Sequence, residues 1–155
     1  MSKRRKAREA LIRALYISEC RGISVSDAFE EMEDVDQEML SDDPDVTSLP
    51  LEPFALCLDD AQKRFAHELA KIIEQDSDDF NEKIRAVLVN WNFERIARID
   101  RYIFWIALAE MTSILDIPIS VSINEAIELA KSYSSEKSPK FINGILDRLA
   151  KDIDA

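Results

Sequence analysis

An all-α fold is predicted by three observations on this 155-residue chain. Apolar residues recur at spacings of three and four almost throughout, there are only 2 glycines, and the 5 prolines sit at a few evident breaks. At 46% hydrophobic and 33% charged, the chain can bury one domain core without a disulfide or metal, and it is too short for two ordinary domains. Taken in order, the pattern predicts seven helices. The first covers residues 3–20, with Ala7, Leu11, Ala14, Leu15 and Ser18 on one small-residue face, Arg4, Arg5, Arg8, Ile12 and Tyr16 towards another, and Gly22 as its stop. The second, 26–40, has a thin apolar side of Phe29, Met32 and Met39 and an acidic remainder, so it reads as a solvated helix. Residues 41–53 hold Pro44, Pro50 and Pro53 among paired aspartates and read as an exposed acidic loop.

The third helix, 56–75, turns Leu58, Ala61, Phe65, Leu69 and Ile72 inward. Asp76-Ser77-Asp78 then supplies a turn and an N-cap for a fourth, 80–89, that buries Ile84, Val87 and Leu88. The fifth, 93–115, is the most hydrophobic, carrying Ile96, Ile99, Ile103, Ile106, Ala107 and Met111, and is placed at the centre. After Pro118, Ser122 followed by Glu125 reads as a capping box that opens the sixth. Ser138 before Pro139 reads as the N-cap of the seventh, with proline at the first helical position. Gly144 lies inside that helix, where glycine costs roughly 1 kcal/mol against alanine, so close approach of a neighbouring backbone is expected there.

The same residues exclude several kinds of chemistry. Cys20 and Cys57 are 37 positions apart with no Cys-x-x-Cys, and His67 is the only histidine, so no structural zinc or other metal site is expected. There is no nucleophile motif near His67 and no glycine-rich loop to cradle a phosphate, so the chain reads as a protein that is not an enzyme and needs no cofactor. His67 itself reads as a surface or half-buried helical residue. No apolar run approaches the ~20 residues that span a bilayer, and no signal-type stretch follows the basic start. A soluble cytoplasmic protein with reduced thiols is the expectation, with no membrane partner.

The net charge of −11 is unevenly placed. Residues 22–62 hold 13 acids and neither Lys nor Arg, whereas six cations, Lys3, Arg4, Arg5, Lys6, Arg8 and Arg13, fall within the first 13 positions. Because salt screens charge over about 8 Å, an anionic ligand would feel the local basic patch more than the total. Four cations in the five residues Arg4-Arg5-Lys6-Ala7-Arg8 repel one another on a helix, which makes sense if phosphates are their counter-ions. The alternative is a basic start that only aids solubility. A second group, Tyr133, Lys137, Ser138, Lys140, Phe141 and Asn143, surrounds the last helix start. Cations and free N–H groups there could hold an anion, and two rings could stack on unpaired bases, unless both rings are core. Trp91 and Trp105 read as core or interface residues.

At the motif level the chain resembles the NusB family of bacterial transcription antitermination factors. The resemblance rests on Arg4-Arg5-Lys6-Ala7-Arg8-Glu9 followed by Ala14-Leu15-Tyr16, and on Trp91-Asn92-Phe93-Glu94-Arg95-Ile96 with Ile99-Asp100-Arg101. Its most specific blocks are Ile123-Asn124-Glu125-Ala126-Ile127-Glu128-Leu129-Ala130-Lys131 and Lys140-Phe141-Ile142-Asn143-Gly144-Ile145-Leu146-Asp147. It implies a single domain of two small helical bundles, about 1–75 and 76–155. It also implies binding of boxA-type single-stranded RNA together with NusE, a ribosomal small-subunit protein, in the antitermination complex that keeps RNA polymerase on ribosomal RNA operons. By motif match, Arg4, Arg5, Lys6, Arg8 and Tyr16 would contact RNA at the first helix, and Tyr133, Lys137, Lys140 and Phe141 at the second patch, while Asp100 falls where the family meets NusE. Both Arg4 and Arg8 are expected to be exposed.

Two departures stand beside this. Trp105 occupies a position where the family often carries arginine, which removes a phosphate partner and offers a stacking face. The acid-rich window is either a solubility segment or a mimic that covers the basic patch. Family members occur as monomers and dimers, so a homodimer is open. Two rival readings are an RNA-docking module of the kind that fronts some ribosomal RNA methyltransferases, and a helical scaffold that binds only proteins.

Overall fold

In the computed structural model, residues 3–39 and 58–154 are described, and the proline-rich acidic loop at 41–53 lies outside them. The described residues form six α-helices and one 3₁₀ turn: α1 (Lys3–Arg21), α2 (Val25–Met39), α3 (Asp60–Val87), the 3₁₀ turn Phe93–Arg95, α4 (Arg98–Ser113), α5 (Ile119–Tyr133) and α6 (Ser138–Asp154). Contacts divide the chain into two units, Met1–Lys71 and Ile72–Ala155, the boundary falling inside α3.

In the first unit, α1 ends where Gly22 takes a φ of 66° and its N–H donates to the Ser18 carbonyl at 2.9 Å, the left-handed stop expected of that glycine. Ser24 opens α2 by accepting from the Asp27 N–H at 3.0 Å. Ala7, Ala10, Leu11, Ala14 and Leu15 of α1 are buried along with Ala28, Phe29 and Met32 of α2. The start of α3 carries a capping box formed by Asp59 and Gln62. The Asp59 N–H donates to Gln62 Oε1 and the Gln62 N–H to Asp59 Oδ1, each at 2.8 Å. Gln62 also donates from Nε2 to the Lys3 carbonyl at 2.6 Å, which ties the first turn of α3 to that of α1. Ala61, expected inside, is exposed, and the buried stripe runs through Phe65, Ala66, Leu69, Ala70 and Ile73.

The two helices predicted at 56–75 and 80–89 are one. Asp76, Ser77 and Asp78 are helical, because buried Ile73, Phe80 and Ile84 continue one apolar stripe at spacings of seven and four across them. Aspartate and serine lower helix propensity by only a few tenths of a kcal/mol each, less than that stripe gains by burial.

The predicted fifth helix, by contrast, starts late. Asn92 Oδ1 accepts from the Glu94 N–H at 3.1 Å and caps the 3₁₀ turn, and Ile96 and Ala97 are then extended, with ψ of 130° and 142°, before α4 begins. In the second unit α4 is central. Tyr102, Ile103, Phe104, Ile106, Ala107, Leu108, Ala109 and Met111 are buried against α5 and α6.

Three further expectations are corrected in this unit. Ser122 does not cap α5: the helix begins a turn earlier after Pro118, and the buried Ser122 hydroxyl donates to the buried Glu110 carboxylate at 3.0 Å. Ser138 is the first residue of α6, and its hydroxyl turns to Asp100 instead of capping. Gly144 is exposed, and a Cβ added there would meet nothing within 4 Å, so no backbone approaches it.

Candidate RNA interface

Helical geometry divides the basic start of α1 between two faces. Lys6, Arg13, Tyr16 and Cys20 are exposed at the i, i+7, i+10, i+14 spacing of a single stripe. Arg4 and Arg8 fall on the opposite side with buried Leu11 and Leu15. The Arg4 guanidinium lies 4.7 Å and that of Arg8 5.4 Å from the centroid of the Phe65 ring, which cations favour for its negative face. Arg8 is only 2% exposed, so the expectation that it is open to solvent fails: its side chain is buried against α3. Arg4 and Arg5 are half-buried, and Lys6 and Tyr16 (49% exposed) are open to solvent. Arg13 is a further exposed cation on this face, beyond the site residues that the motif match implies. Its seven-residue spacing from Lys6 was the signal that could have found it.

His67 is half-buried, its ring 5.0 Å from that of Phe29. It lines a groove of 770 Å³ with Lys63, Arg64, Lys71, Ser26, Asp60 and Glu68. The two carboxylates among those cations leave the groove without a consistent sign of charge for an anion.

In the second unit the turn between α5 and α6 is built on Asp100, in the first turn of α4. Its Oδ1 accepts from the Ser134 hydroxyl at 2.5 Å and its Oδ2 from the Ser138 hydroxyl at 2.9 Å. Ser138 Oγ lies a further 2.8 Å from Ser134 Oγ and 2.9 Å from Ser135 Oγ. Asp100 is 5% exposed, so it offers a protein partner almost no surface, and its carboxylate instead fixes the shape of the turn. Beside it opens a pocket of 350 Å³ lined by Trp91, Arg95, Ile96, Ala97, Asp100, Ser135, Lys137, Ser138 and Phe141.

Of the expected second patch, Lys137 and Phe141 are therefore brought together, while Tyr133, half-buried, and Lys140, exposed, are outside the lining. Phe141 is half-buried with its ring edge-on to buried Phe104, centroids 5.8 Å apart, and the Trp91 ring lies tilted against it at 5.9 Å. Trp91 is not core: it is 53% exposed, carried by the loop in which Asn90 adopts a φ of 58°. Arg95 on the adjoining 3₁₀ turn is exposed as well. Trp105 offers less of a stacking face than expected. Its N–H donates to Asn81 Oδ1 at 2.8 Å, and its ring sits 5.3 Å from the Arg101 guanidinium and 5.8 Å from Tyr102. A guanidinium thus remains at this spot, supplied from the preceding turn.

No described helix is long and apolar enough to cross a membrane, and among the described residues no group of three or more His, Cys, Asp or Glu could hold a metal ion.

A transcription antitermination protein NusB of Clostridium botulinum (strain Kyoto / Type A2) is 37% identical over 147 residues, covering 94% of this chain and 98% of that protein. The transcription antitermination protein NusB of Bacillus subtilis (strain 168) is 36% identical over 152 residues, 98% of each. Among solved structures, T. maritima NusB superposes with a TM-score of 0.77 at 31% identity, covering 98% of this chain and 93% of that one. A chain from a structure of antitermination factors NusB and NusE in complex with dsRNA has the same fold, at a TM-score of 0.72 and 21% identity over 98% of both. The NusB family profile itself matches residues 5–151, and with its full-length relatives above 30% identity this chain belongs to the NusB family.

Proposed function

We propose that this chain is a transcription antitermination factor that binds boxA-type single-stranded RNA together with NusE, acting in the cytoplasm in the complex that keeps RNA polymerase on ribosomal RNA operons, and that it catalyses no reaction. The observation that carries the reading is the solvent-facing stripe of Lys6, Arg13 and Tyr16 on α1, in a chain whose relatives are named transcription antitermination proteins. Two cations for phosphates and one ring for a base are what an unpaired strand requires. Lys137 and Phe141 supply the same pair of chemistries in the second unit. Arg4 and Arg5, half-buried, contribute positive potential, and Arg8 supports the helix from inside. Asp100 serves the NusE contact by shaping the α5–α6 turn and not by touching the partner.

The test is Lys6→Glu combined with Arg13→Glu, at two exposed positions where the fold should be retained by circular dichroism. Reversing two phosphate-facing charges should abolish binding of a boxA RNA in fluorescence anisotropy, whether NusE is present or not. Unchanged RNA affinity with NusE still bound would instead favour a scaffold that recognises only proteins.

A further inference from the structure

We propose that the outer face of α3 over residues 60–71 is a docking surface for a second copy of this chain, the two helices lying antiparallel across a two-fold axis. Asp60, Arg64, Glu68 and Lys71 follow one another down that face about one helical turn apart, and their signs alternate. All four are exposed, and with Lys63 and His67 they line the groove of 770 Å³. Further along the same helix such spacings are used internally: Asp79 holds Lys83 at 3.1 Å and Glu82 holds Arg85 at 2.5 Å. Among the described residues no ion pair joins Asp60 to Arg64, Arg64 to Glu68, or Glu68 to Lys71, so these charges are turned outward.

Minus, plus, minus, plus becomes its own complement when the row is reversed. Turned through a two-fold, a second α3 therefore sets its Lys71 against Asp60 and its Glu68 against Arg64, and each pair occurs twice, as an isologous interface requires. These pairs share one register to within a residue, and the row is only about 16 Å long at 1.5 Å per residue, so one shallow helix crossing serves all of them. Lys63 adds a second cation beside the copy's Glu68. At the middle of the face the His67 ring, half-buried and 5.0 Å from Phe29, gives flat apolar surface. A nucleic acid fits this face badly, because carboxylates interrupt its cations. Exposed ion pairs are individually weak, so the association is salt-sensitive and belongs to high chain concentration. The stripe of Lys6, Arg13 and Tyr16 is on the side of α1 turned away from Phe65 of α3, so both copies keep it open.

The experiment is sedimentation equilibrium of the full chain. At low salt and about 0.5 mM chain the weight-average mass should stand well above that of one copy. It should return to one copy in about 1 M potassium chloride, where charges are screened beyond about 3 Å. Arg64→Glu sets carboxylates against each other across the two-fold, and Glu68→Lys sets cations against each other. Each alone should weaken self-association about tenfold or more, with the circular dichroism spectrum unchanged. Mixed in equal amounts, the two variants should recover association to within about threefold of the parent, because each supplies the charge the other lacks, whereas a folding defect is not cured by mixing. A parent chain that stays single at this concentration, self-association indifferent to either swap, or a mixture that does not recover overturns the proposal. So does loss of single-stranded RNA binding in Arg64→Glu, which would make the groove an RNA surface. Lys6→Glu with Arg13→Glu should leave the association as it is, so this surface and the RNA reading stand or fall separately; loss of association in that variant would put the contact on α1 and overturn the proposal.

Discussion

Arg8 sits in the most basic stretch of the chain and is buried to 2%, its guanidinium 5.4 Å from the Phe65 centroid. A carboxylate at the same place would lose hydration and face the π cloud with the wrong sign. Arg8→Glu is expected to destabilise the fold by about 3 kcal/mol or more, read as a lowered midpoint in urea denaturation. Lys6→Glu, one helical face away, should leave that midpoint within about 0.5 kcal/mol. The chemistry of the candidate site was legible residue by residue: Lys6, Tyr16, Lys137 and Phe141 are cations and rings in a pattern that points to phosphates and bases. Which of the cations face water was not legible, because Arg4, Arg5 and Arg8 look alike in a list and differ in how far packing covers them, Arg8 being buried and the other two half-buried. Asp100 is the same kind of case. Its motif position does not reveal that the hydroxyls of Ser134 and Ser138, 34 and 38 residues further on, donate to both of its oxygens.

At the scale of elements, a start or stop signal holds where one residue is sufficient and yields where it competes with burial. Gly22 stops α1 because its own φ of 66° is open to glycine and strained for other residues. The Asp76-Ser77-Asp78 signal loses to the stripe of Ile73, Phe80 and Ile84. This gives a discriminating substitution. Asp79→Pro would be tolerated at the first position of a new helix, but within the continuous α3 it removes an N–H and clashes with the preceding turn, costing about 3 kcal/mol. Thermal unfolding followed at 222 nm should show the larger loss. Gly144 predicts the opposite sign. With nothing within 4 Å of an added Cβ, Gly144→Ala should stabilise α6 by about 0.5–1 kcal/mol. In a domain of this size that raises the melting temperature by roughly 2–4 °C per kcal/mol.

For the molecule as a whole, a net charge of −11 and affinity for RNA are compatible because the charge is segregated along the chain. The 13 acids of residues 22–62 contrast with six cations in the first 13 positions, and only local potential survives screening beyond about 8 Å. Binding should therefore weaken steeply with salt, log affinity falling against log salt by about 0.7 for each phosphate neutralised. Lys6→Glu alone should reduce that slope by about 0.7, which a potassium chloride series of anisotropy titrations would measure. A salt-independent affinity would mean that the cations are not the contact. Recognition of the family depended on ordered blocks spread along the chain, not on any single site, and the profile match over residues 5–151 reflects that spread.

Periodicity, scarcity of glycine and the ordered motifs were enough, by themselves, to determine that this chain is helical, roughly where its helices lie, and to which family it belongs. All of these are properties of residues close together in sequence or of their order. The tertiary structure alone decided which side of each helix is wet. It turned Arg8 inward onto Phe65, spent Ser122 on Glu110 and Ser138 on Asp100, and left Trp91 outside against Phe141. The reason is physical: helix formation is driven by contacts three and four residues apart, whereas burial of a charge or a hydroxyl depends on a partner tens of residues away, whose position only the packed chain defines.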